Sequence, residues 1–333
     1  MRLALDAMGG DHAPGEIVRG AVAARDGLPD DEILLVGDQE AIRKELDAAG
    51  ASMERLTVVH ASQQVEMAEP PVEAMRRKPD SSMRRAMEIM ARSEADAAIS
   101  AGNTGAFVAA GHMVAKRLPG IRRPGISVVL PTFHGPVVVI DVGANVDSRP
   151  VHLLQYGVMA SVYARKVFGI QEPRVGILSI GEESEKGNEL ARDAAELMAE
   201  APIRFCGNAE GRDIFNGRFD VVVCDGFVGN IVLKCVEALA GSVFQSIMQE
   251  ISAMPPEHKA RLLPALALLQ RRHDAEEYGG APLLGVDGVV IICHGNVRAR
   301  GIANALRVAA TYARQEVNRT IVEEVAQMRG AHA

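Results

Sequence analysis

Short apolar runs alternate along the chain with stretches of helical periodicity. The runs are continuous rather than alternating in polarity, which is typical of parallel strands buried on both faces of a sheet. They cover residues 3–6, 33–37, 56–60, 97–100, 126–130, 137–142, 175–180, 203–206, 219–224 and 289–293. The helical stretches cover residues 16–25, 39–49, 81–92, 104–117, 151–168 and 188–199. This alternation predicts an α/β fold with a doubly wound, mostly parallel sheet.

The pattern marks no clear domain boundary. No low-complexity linker and no internal repeat of fixed period interrupts residues 1–333. We therefore expect a single α/β catalytic domain, with two lobes that share one sheet as the alternative.

One region departs from the alternation. Apolar residues recur every three or four positions over 228–251, and a leucine-rich stretch follows Pro255 and Pro256 as far as Arg272. The two stretches predict a protruding helical hairpin over 245–275. Cations lie on both sides of its leucines, which are Leu262, Leu263, Leu266 and Leu269. Both a dimer contact and a contact with a membrane surface fit this pattern. No uncharged apolar run reaches about 18 residues, so we expect no membrane-spanning helix.

Seven apolar runs lead into turns rich in Gly, Asn and acidic residues. The turns are 6–12 (DAMGGDH), 100–106 (SAGNTGA), 141–145 (DVGAN), 181–188 (GEESEKGN), 206–213 (CGNAEGRD), 224–230 (CDGFVGN) and 293–296 (CHGN). Ligands of open α/β sheets bind beyond the carboxyl ends of the strands, where such turns converge and helix starts offer N–H groups to anions. The turns therefore predict a small-molecule site and an enzyme.

Composition and motif searches narrow the class of enzyme. A net charge of −7, 4% aromatic residues and no Trp argue against nucleic acid as a partner. The four cysteines form no CxxC pair and are interpreted as reduced core residues. No dinucleotide fingerprint, nucleophile elbow or HExxH motif is present, and the histidines lack metal-ligand spacing. We expect neither a cofactor nor a metal.

The turns, taken in order, resemble those of the bacterial phosphate acyltransferases of phospholipid synthesis, the PlsX family. The resemblance includes Lys234 after the 224–230 turn and the segment 278–286 (YGGAPLLGV), and it runs from residue 2 to about 315. It implies transfer of an acyl group from acyl-[acyl carrier protein] to inorganic phosphate, which gives acyl phosphate for the glycerol-3-phosphate acyltransferase. It also implies a fold similar to isopropylmalate dehydrogenases and phosphotransacetylases, and a homodimer. The implied location is cytoplasmic, with peripheral contact to the inner face of the membrane and to that second acyltransferase.

This chemistry needs no protein nucleophile, because phosphate is already anionic and a thiolate is a competent leaving group. The enzyme has to position two reactants and stabilise an oxyanion. The candidate catalytic residues are Lys186, Asn230, Asn208 and His294. Lys186 is interpreted either as an anion ligand or as a cation that only neutralises the acids beside it. For His294, protonation of the departing thiolate and a structural role both remain open.

The candidate phosphate- and substrate-binding residues come from the same turns. They are Asp6, Gly9, Gly10, Asp11, Gly102, Asn103, Thr104, Gly105, Asn145, Glu182, Glu210, Arg212, Asp225, Lys234, Gly295 and Asn296. Acids repel phosphate, so we expect the aspartates to orient Lys, Arg and backbone N–H groups. Asn103 also fits a helix N-cap.

Two other classes of protein stay open at this point. One is a metal- and nicotinamide-dependent decarboxylating dehydrogenase on the same kind of fold, which would need clustered aspartates and a cofactor loop. The other is a non-catalytic membrane-docking scaffold, which would leave the polar turns unexplained.

Overall fold

The computed structural model describes residues 1–272 and 275–331, and its strands form one 11-stranded sheet. The strands are β1 (Arg2–Asp6), β2 (Glu32–Gly37), β3 (Leu56–His60), β4 (Ala97–Ser100), β5 (Gly125–Thr132), β6 (Gly135–Ile140), β7 (Arg174–Leu178), β8 (Arg204–Ala209), β9 (Val221–Val223), β10 (Ala281–Leu284) and β11 (Val289–Ile292). All ten predicted strands are present. The sequence pattern missed β10.

Helices cover both faces of this sheet. They are α1 (Gly15–Arg25), α2 (Gln39–Ala48), α3 (Pro71–Arg77), α4 (Ser82–Ala91), α5 (Thr104–Ala110), α6 (Pro150–Phe168), α7 (Glu189–Ala199), α8 (Gly226–Ala253), α9 (Pro256–Arg272), α10 (Ala299–Arg314) and α11 (Val317–Ala331). A π-helical turn over Gly111–Ala115 extends α5. The six predicted helices are all present, and α3, α10 and α11 were not predicted.

The strand order divides the sheet into two parallel sets. The order is β3-β2-β1-β4-β11-β10-β5-β6-β9-β7-β8. The first five strands run parallel to one another, and so do the last four. Antiparallel pairings of β11 with β10, β10 with β5, and β5 with β6 join the two sets. Because three reversals separate the sets, they run in opposite directions.

The core explains why continuous apolar runs formed the central strands. Every residue of β4 and β11 is buried, as expected for strands covered on both faces. The helices that cover the sheet also pack closely against one another. A Cβ at Gly20 in α1 would lie 2.6 Å from the side chain of Ile302 in α10. The fold class predicted from the sequence is confirmed.

The predicted hairpin corresponds to α8 and α9. Helix α8 is held at its start, where Gly226 and Gly229 are buried, and most of its remaining length is exposed. At 1.5 Å per residue, its 28 residues extend for about 42 Å. Leu262, Leu263 and Leu269 are exposed, whereas Leu266 is buried at 7% exposure and belongs to the packed face of the hairpin. Residues 273 and 274 of the predicted range lie outside the described residues.

Helix α8 bears on the expectation that no helix spans a membrane. It is long enough and apolar enough to do so by length and composition, with a mean hydropathy of 1.6 in its most apolar window. Length and composition alone do not decide the matter, so the absence of a membrane-spanning helix stays a prediction. That prediction relied on uncharged runs, whereas Lys234 and Glu237 lie inside this helix and form an ion pair of 2.8 Å.

Candidate active site

The polar turns form two groups, one for each parallel set of strands. The first group contains the turns 6–12, 100–106 and 293–296, which follow β1, β4 and β11. The second group contains the turns 141–145, 181–188, 206–213 and 224–230, at the ends of β6, β7, β8 and β9. Among the described residues, no hydrogen bond or ion pair joins the two groups. The turns therefore converge within each group. The two groups are separate because the antiparallel strands between the sets make the strands of the second set run in the opposite direction.

The three turns of the first group touch through their backbones. The Asp11 N–H donates to the carbonyl oxygen of Gly295 at 2.8 Å. A Cβ at Gly9 would lie 2.7 Å from the nitrogen of Gly102, so this approach requires glycine. Gly10 has a φ of +105° and faces the Gly295 carbonyl.

Asp6 organises the first group from inside. Its Oδ2 accepts from the Ser100 hydroxyl at 2.6 Å, and that hydroxyl accepts from the Gly102 N–H at 3.0 Å. Burial raises the pKa of the Asp6 carboxyl above its ordinary value, although the bond from Ser100 opposes this shift. Asp6 therefore orients a neighbouring turn and is not exposed to a ligand.

Asn103 is the N-cap of α5, as one interpretation of the sequence proposed. Its Oδ1 accepts from the Ala106 N–H at 3.0 Å. Its Nδ2 donates to the carbonyls of Met67 and Glu69, both at 3.0 Å. The amide is thus committed to the fold, while the neighbouring Thr104 is exposed and Gly105 is half-buried.

His294 and Asn296 are exposed at the end of β11. In the described part of the chain, neither side chain has a hydrogen bond or an ion pair. His294 belongs to the first group, and among the described residues no hydrogen bond or ion pair connects it to Lys186 or Asn230 of the second.

Asp141 organises the second group from a fully buried position. Its carboxylate accepts from the N–H groups of Ile126, Gly143, Ala144 and Asn145 at 2.8–3.1 Å. Burial raises the pKa of this carboxyl, while these donors act in the opposite direction. The acid fixes a backbone turn, which is the orienting role that the sequence predicted for such residues.

The Asn145 side chain is also committed to the fold. Its Nδ2 donates to the Pro124 carbonyl at 2.6 Å, the Tyr156 hydroxyl at 2.8 Å and the Asp141 carboxylate at 3.1 Å. Asn145 therefore positions the turn in this structure, and its use as a phosphate donor stays a prediction.

The start of α8 packs directly on this turn. A Cβ at Gly229 would lie only 1.9 Å from the Asp141 carbonyl oxygen, so the helix and the turn touch through backbone atoms. The Gly226 N–H donates to the Asn145 carbonyl, and the Asp225 carboxylate accepts from the next two N–H groups of the helix. All these helix-start amides have partners. In this structure the fold itself satisfies these amides.

Asn230 lies one residue further along α8 and is exposed. Its Oδ1 lies 3.7 Å from the position that a Cβ would take at Gly143, so the amide stands beside the Asp141 turn. No hydrogen bond of this side chain occurs among the described residues, which leaves its donor available. Lys234 lies four residues on, on the same face of the helix, but it pairs with Glu237 at 2.8 Å.

The turn that carries Lys186 is held by Asn208. The buried Asn208 amide donates to the Glu183 carbonyl at 2.6 Å and to the Lys186 carbonyl at 3.4 Å. Asn208 therefore positions this turn, and its predicted part at the reacting centre is not tested by these contacts. The Lys186 ammonium is exposed and forms no ion pair within 1–272 and 275–331. Whether it binds an anion or neutralises the acids of its own turn stays a prediction.

Other cations neutralise that turn. Glu182 pairs with Arg212 and with Arg218, each at 3.0 Å. Arg212 also pairs with Glu210 at 2.9 Å. Two carboxylates counter the Arg212 charge, so the structure does not support its prediction as a free donor at the reacting centre.

The same turns also carry an apolar rim that the sequence pattern did not predict. Ile180, Val146 and Phe227 are 82%, 62% and 58% exposed, on the turns after β7, β6 and β9. These three strands are neighbours in the sheet. Ile180 had been placed inside a strand over 175–180, but β7 ends at Leu178. The sequence feature that could have indicated this is the polar turn beginning at Gly181, directly after Ile180.

The cysteines offer no activated nucleophile. Burial raises the pKa of the Cys224 thiol, and it raises that of Cys293 to about 12. Cys206 and Cys235 are exposed. In the described part of the chain, no group of three His, Cys, Asp or Glu side chains could hold a metal ion.

Comparison with solved structures defines the class of fold. The chain is similar to a phosphotransacetylase from Streptococcus pyogenes, with a TM-score of 0.67 and 18% identity over 95% of this chain and 94% of that one. It is also similar to a branched-chain phosphotransacylase from Enterococcus faecalis, with a TM-score of 0.58 and 14% identity over 94% and 99% of the two chains. The fold is that of the phosphotransacetylases.

Sequence comparison defines the family. A family model described as fatty acid synthesis protein matches residues 1–320. A phosphate acyltransferase from Pelotomaculum thermopropionicum is 49% identical over 327 residues, which cover 98% of this chain and 94% of that protein. Another from Geotalea daltonii is 48% identical over 329 residues, again 98% and 94% of the two chains. The chain belongs to this family and is an acyltransferase. The dehydrogenase and scaffold alternatives are thereby set aside.

Proposed function

We propose that this acyltransferase transfers a fatty acyl group reversibly from acyl-[acyl carrier protein] to inorganic phosphate, for phospholipid synthesis. A phosphate oxygen forms a bond to the thioester carbonyl carbon, and the carbon–sulfur bond breaks. The products are acyl phosphate and the carrier thiol. Family membership supports acyl transfer in lipid synthesis, and the names of the relatives support phosphate as the acceptor.

The observation that carries the proposal is the exposed Lys186 side chain, which forms no ion pair among the described residues and stands on a turn held by buried Asn208. A fixed cation stabilises phosphate and the developing oxyanion of the tetrahedral intermediate. Removal of one preorganised donor of this kind costs about 3 kcal/mol of transition-state stabilisation. Asn230 adds a neutral donor beside the Asp141 turn.

Two further features of the second group fit the same reaction. The exposed rim of Ile180, Val146 and Phe227 provides apolar contact for an acyl chain next to polar donors. The raised thiol pKa values of Cys224 and Cys293 fit direct attack by phosphate rather than an acyl-cysteine intermediate. The roles of His294 and of the first group in substrate binding remain predictions.

This proposal is tested by whether the purified protein releases the carrier thiol in a phosphate-dependent manner. Acyl phosphate is trapped with hydroxylamine, so that product formation and thiol release are measured together. Release without phosphate, or none with it, would remove phosphate from the reaction.

We also propose that the protein is a cytoplasmic homodimer that contacts the anionic inner face of the membrane, where it supplies the glycerol-3-phosphate acyltransferase. Helix α8 exposes Leu239, Val243 and Ile247 along one side, and α9 exposes Leu262 and Leu263. A soluble monomer rarely leaves so large an apolar surface open. In this proposal a second copy of the chain covers the exposed side of α8, and the exposed leucines of α9 contact the membrane.

Replacing Leu262 and Leu263 with Glu is expected to release the protein from anionic liposomes, because two buried charges oppose apolar contact. Liposome flotation and light-scattering mass are the measurements. Matched exposed positions elsewhere, Met53→Glu with Val72→Glu, should leave flotation unchanged. Flotation like wild type would refute the membrane contact. A monomeric, inactive variant would instead assign these leucines to the dimer.

A further inference from the structure

We propose that a cationic surface beside the second group docks an acidic face of a protein partner. This surface, the arginine patch, consists of Lys116, Arg117, Arg122, Arg123 and Arg149. Under the proposed function, on which this inference rests, the partner is the acyl carrier protein.

The positive charge of the patch has no paired acid among the described residues, although the protein as a whole carries a net charge of −7. All five side chains are exposed, and none forms an ion pair among the described residues. Asp287, whose N–H donates to the Lys116 carbonyl at 3.2 Å, and Asp147 are exposed and form no ion pair with them among the described residues; the nearby Asp141 is buried and bound to backbone N–H groups. Uncompensated charge of one sign raises the local concentration of an oppositely charged partner.

Arg117, Arg122, Arg123 and Arg149 lie around two histidines, His112 and His152, and Lys116 precedes Arg117 in the chain. Besides burial, the charges of Arg123 and Arg117 lower the pKa of His112. Burial again comes first for His152, whose pKa is lowered also by Arg123, Arg149 and Arg122. Arg123 acts on both histidines, and the Arg117 guanidinium donates to the Arg122 carbonyl at 2.6 Å, which joins the two ends of the loop.

The backbone under the patch is fixed by hydrogen bonds. Gln155 of α6 accepts from the Arg122 N–H at 2.8 Å and donates to the Gly120 carbonyl at 2.9 Å. The Leu118 N–H donates to the Gly285 carbonyl at 3.0 Å. A fixed surface loses little conformational entropy when a partner binds.

The patch adjoins the candidate active site directly. The Pro124 carbonyl, one residue after Arg123, accepts from the Asn145 side chain at 2.6 Å. That side chain also donates to the Tyr156 hydroxyl, and the Arg123 charge acts on Tyr156. A partner bound to the patch thus stands beside the Asp141 turn.

The loop 116–123, which carries four of the five cations, favours a protein over a lipid surface; the exposed Met113 and Val146 lie outside this loop. Leu118 and Ile121, the large apolar residues of the loop between its cations, are buried at 4% and 5% exposure. Contact with a membrane interface normally buries apolar side chains next to the cations. This loop presents charge without them, which suits a complementary acidic protein surface.

The test is the double charge reversal Arg122→Glu with Arg123→Glu. Its matched control is Arg43→Glu with Lys44→Glu on α2, where both cations are exposed and unpaired within the described residues. With acyl-[acyl carrier protein], we expect kcat/KM to fall about tenfold or more through KM, and its salt dependence to weaken. With acyl-pantetheine, which lacks the carrier, the variant and the control should match wild type.

The outcomes separate this inference from the proposed function. A wild-type protein that forms no acyl phosphate from either thioester would overturn both. An active wild type with unchanged carrier kinetics in the charge-reversed variant would overturn the docking surface alone. Loss of binding to phosphatidylglycerol vesicles with unchanged carrier kinetics would also overturn it, because the patch would then be a membrane contact.

Discussion

Replacing Gly229 with alanine is expected to abolish acyl transfer and to lower the free energy of unfolding by about 3 kcal/mol. The added Cβ would lie 1.9 Å from the Asp141 carbonyl oxygen and 2.9 Å from the Cys224 sulfur. Backbone atoms cannot relax as a flexible side chain can, so the start of α8 must move away from the turn. That movement also displaces Asn230. Denaturant unfolding and kcat/KM are the measurements.

The same helix provides the control for this change. A Cβ at Gly241 would meet nothing within 4 Å. Gly241→Ala should therefore keep activity and stabilise the protein by up to about 1 kcal/mol through helix propensity. If Gly229→Ala unfolded and reacted like wild type, the close contact between α8 and the Asp141 turn would not exist in solution.

Lys186→Ala is expected to lower kcat/KM by about 100-fold or more while leaving stability unchanged, and Asn230→Ala should behave in the same way. The lysine is exposed and unpaired in the described part of the chain, so its removal deletes a charge without breaking a structural contact. Steady-state kinetics and thermal unfolding of each variant measure the two effects.

Lys44→Ala provides the matched control, because Lys44 is an exposed lysine on α2 with no ion pair among the described residues. Wild-type kinetics in a well-folded Lys186→Ala variant would exclude this ammonium from the reaction. If Lys186→Ala and Lys44→Ala lowered kcat/KM equally, the loss would be a general effect of removing a positive charge.

The strands were predictable because burial on both faces leaves a strong local pattern. Runs such as 97–100 and 289–293 are continuously apolar, and they became the fully buried β4 and β11. Strand β10 was missed because Ala281–Leu284 is short, contains Pro282 and follows two glycines, which reads as a loop. Without β10, the reversal that divides the turns into two groups could not be predicted.

Residue types indicated the candidate site, but partners decide which side chains are available. Asn103, Asn145, Asn208 and Asn230 have the same chemistry, yet hydrogen bonds to backbone carbonyls occupy the first three. Likewise, Arg212 carries two carboxylate partners, whereas Lys186 carries none in the described ranges. These contacts depend on distant segments of the chain, which sequence spacing does not reveal.

The most direct test of the proposed reaction is thiol release from acyl-[acyl carrier protein] by the purified protein, with and without phosphate and with excess EDTA throughout. We expect phosphate-dependent release with an equal amount of hydroxylamine-reactive acyl phosphate, and no loss of rate with EDTA. Release that does not need phosphate, or a rate abolished by EDTA and restored by a divalent metal, would contradict direct attack of phosphate assisted by Lys186.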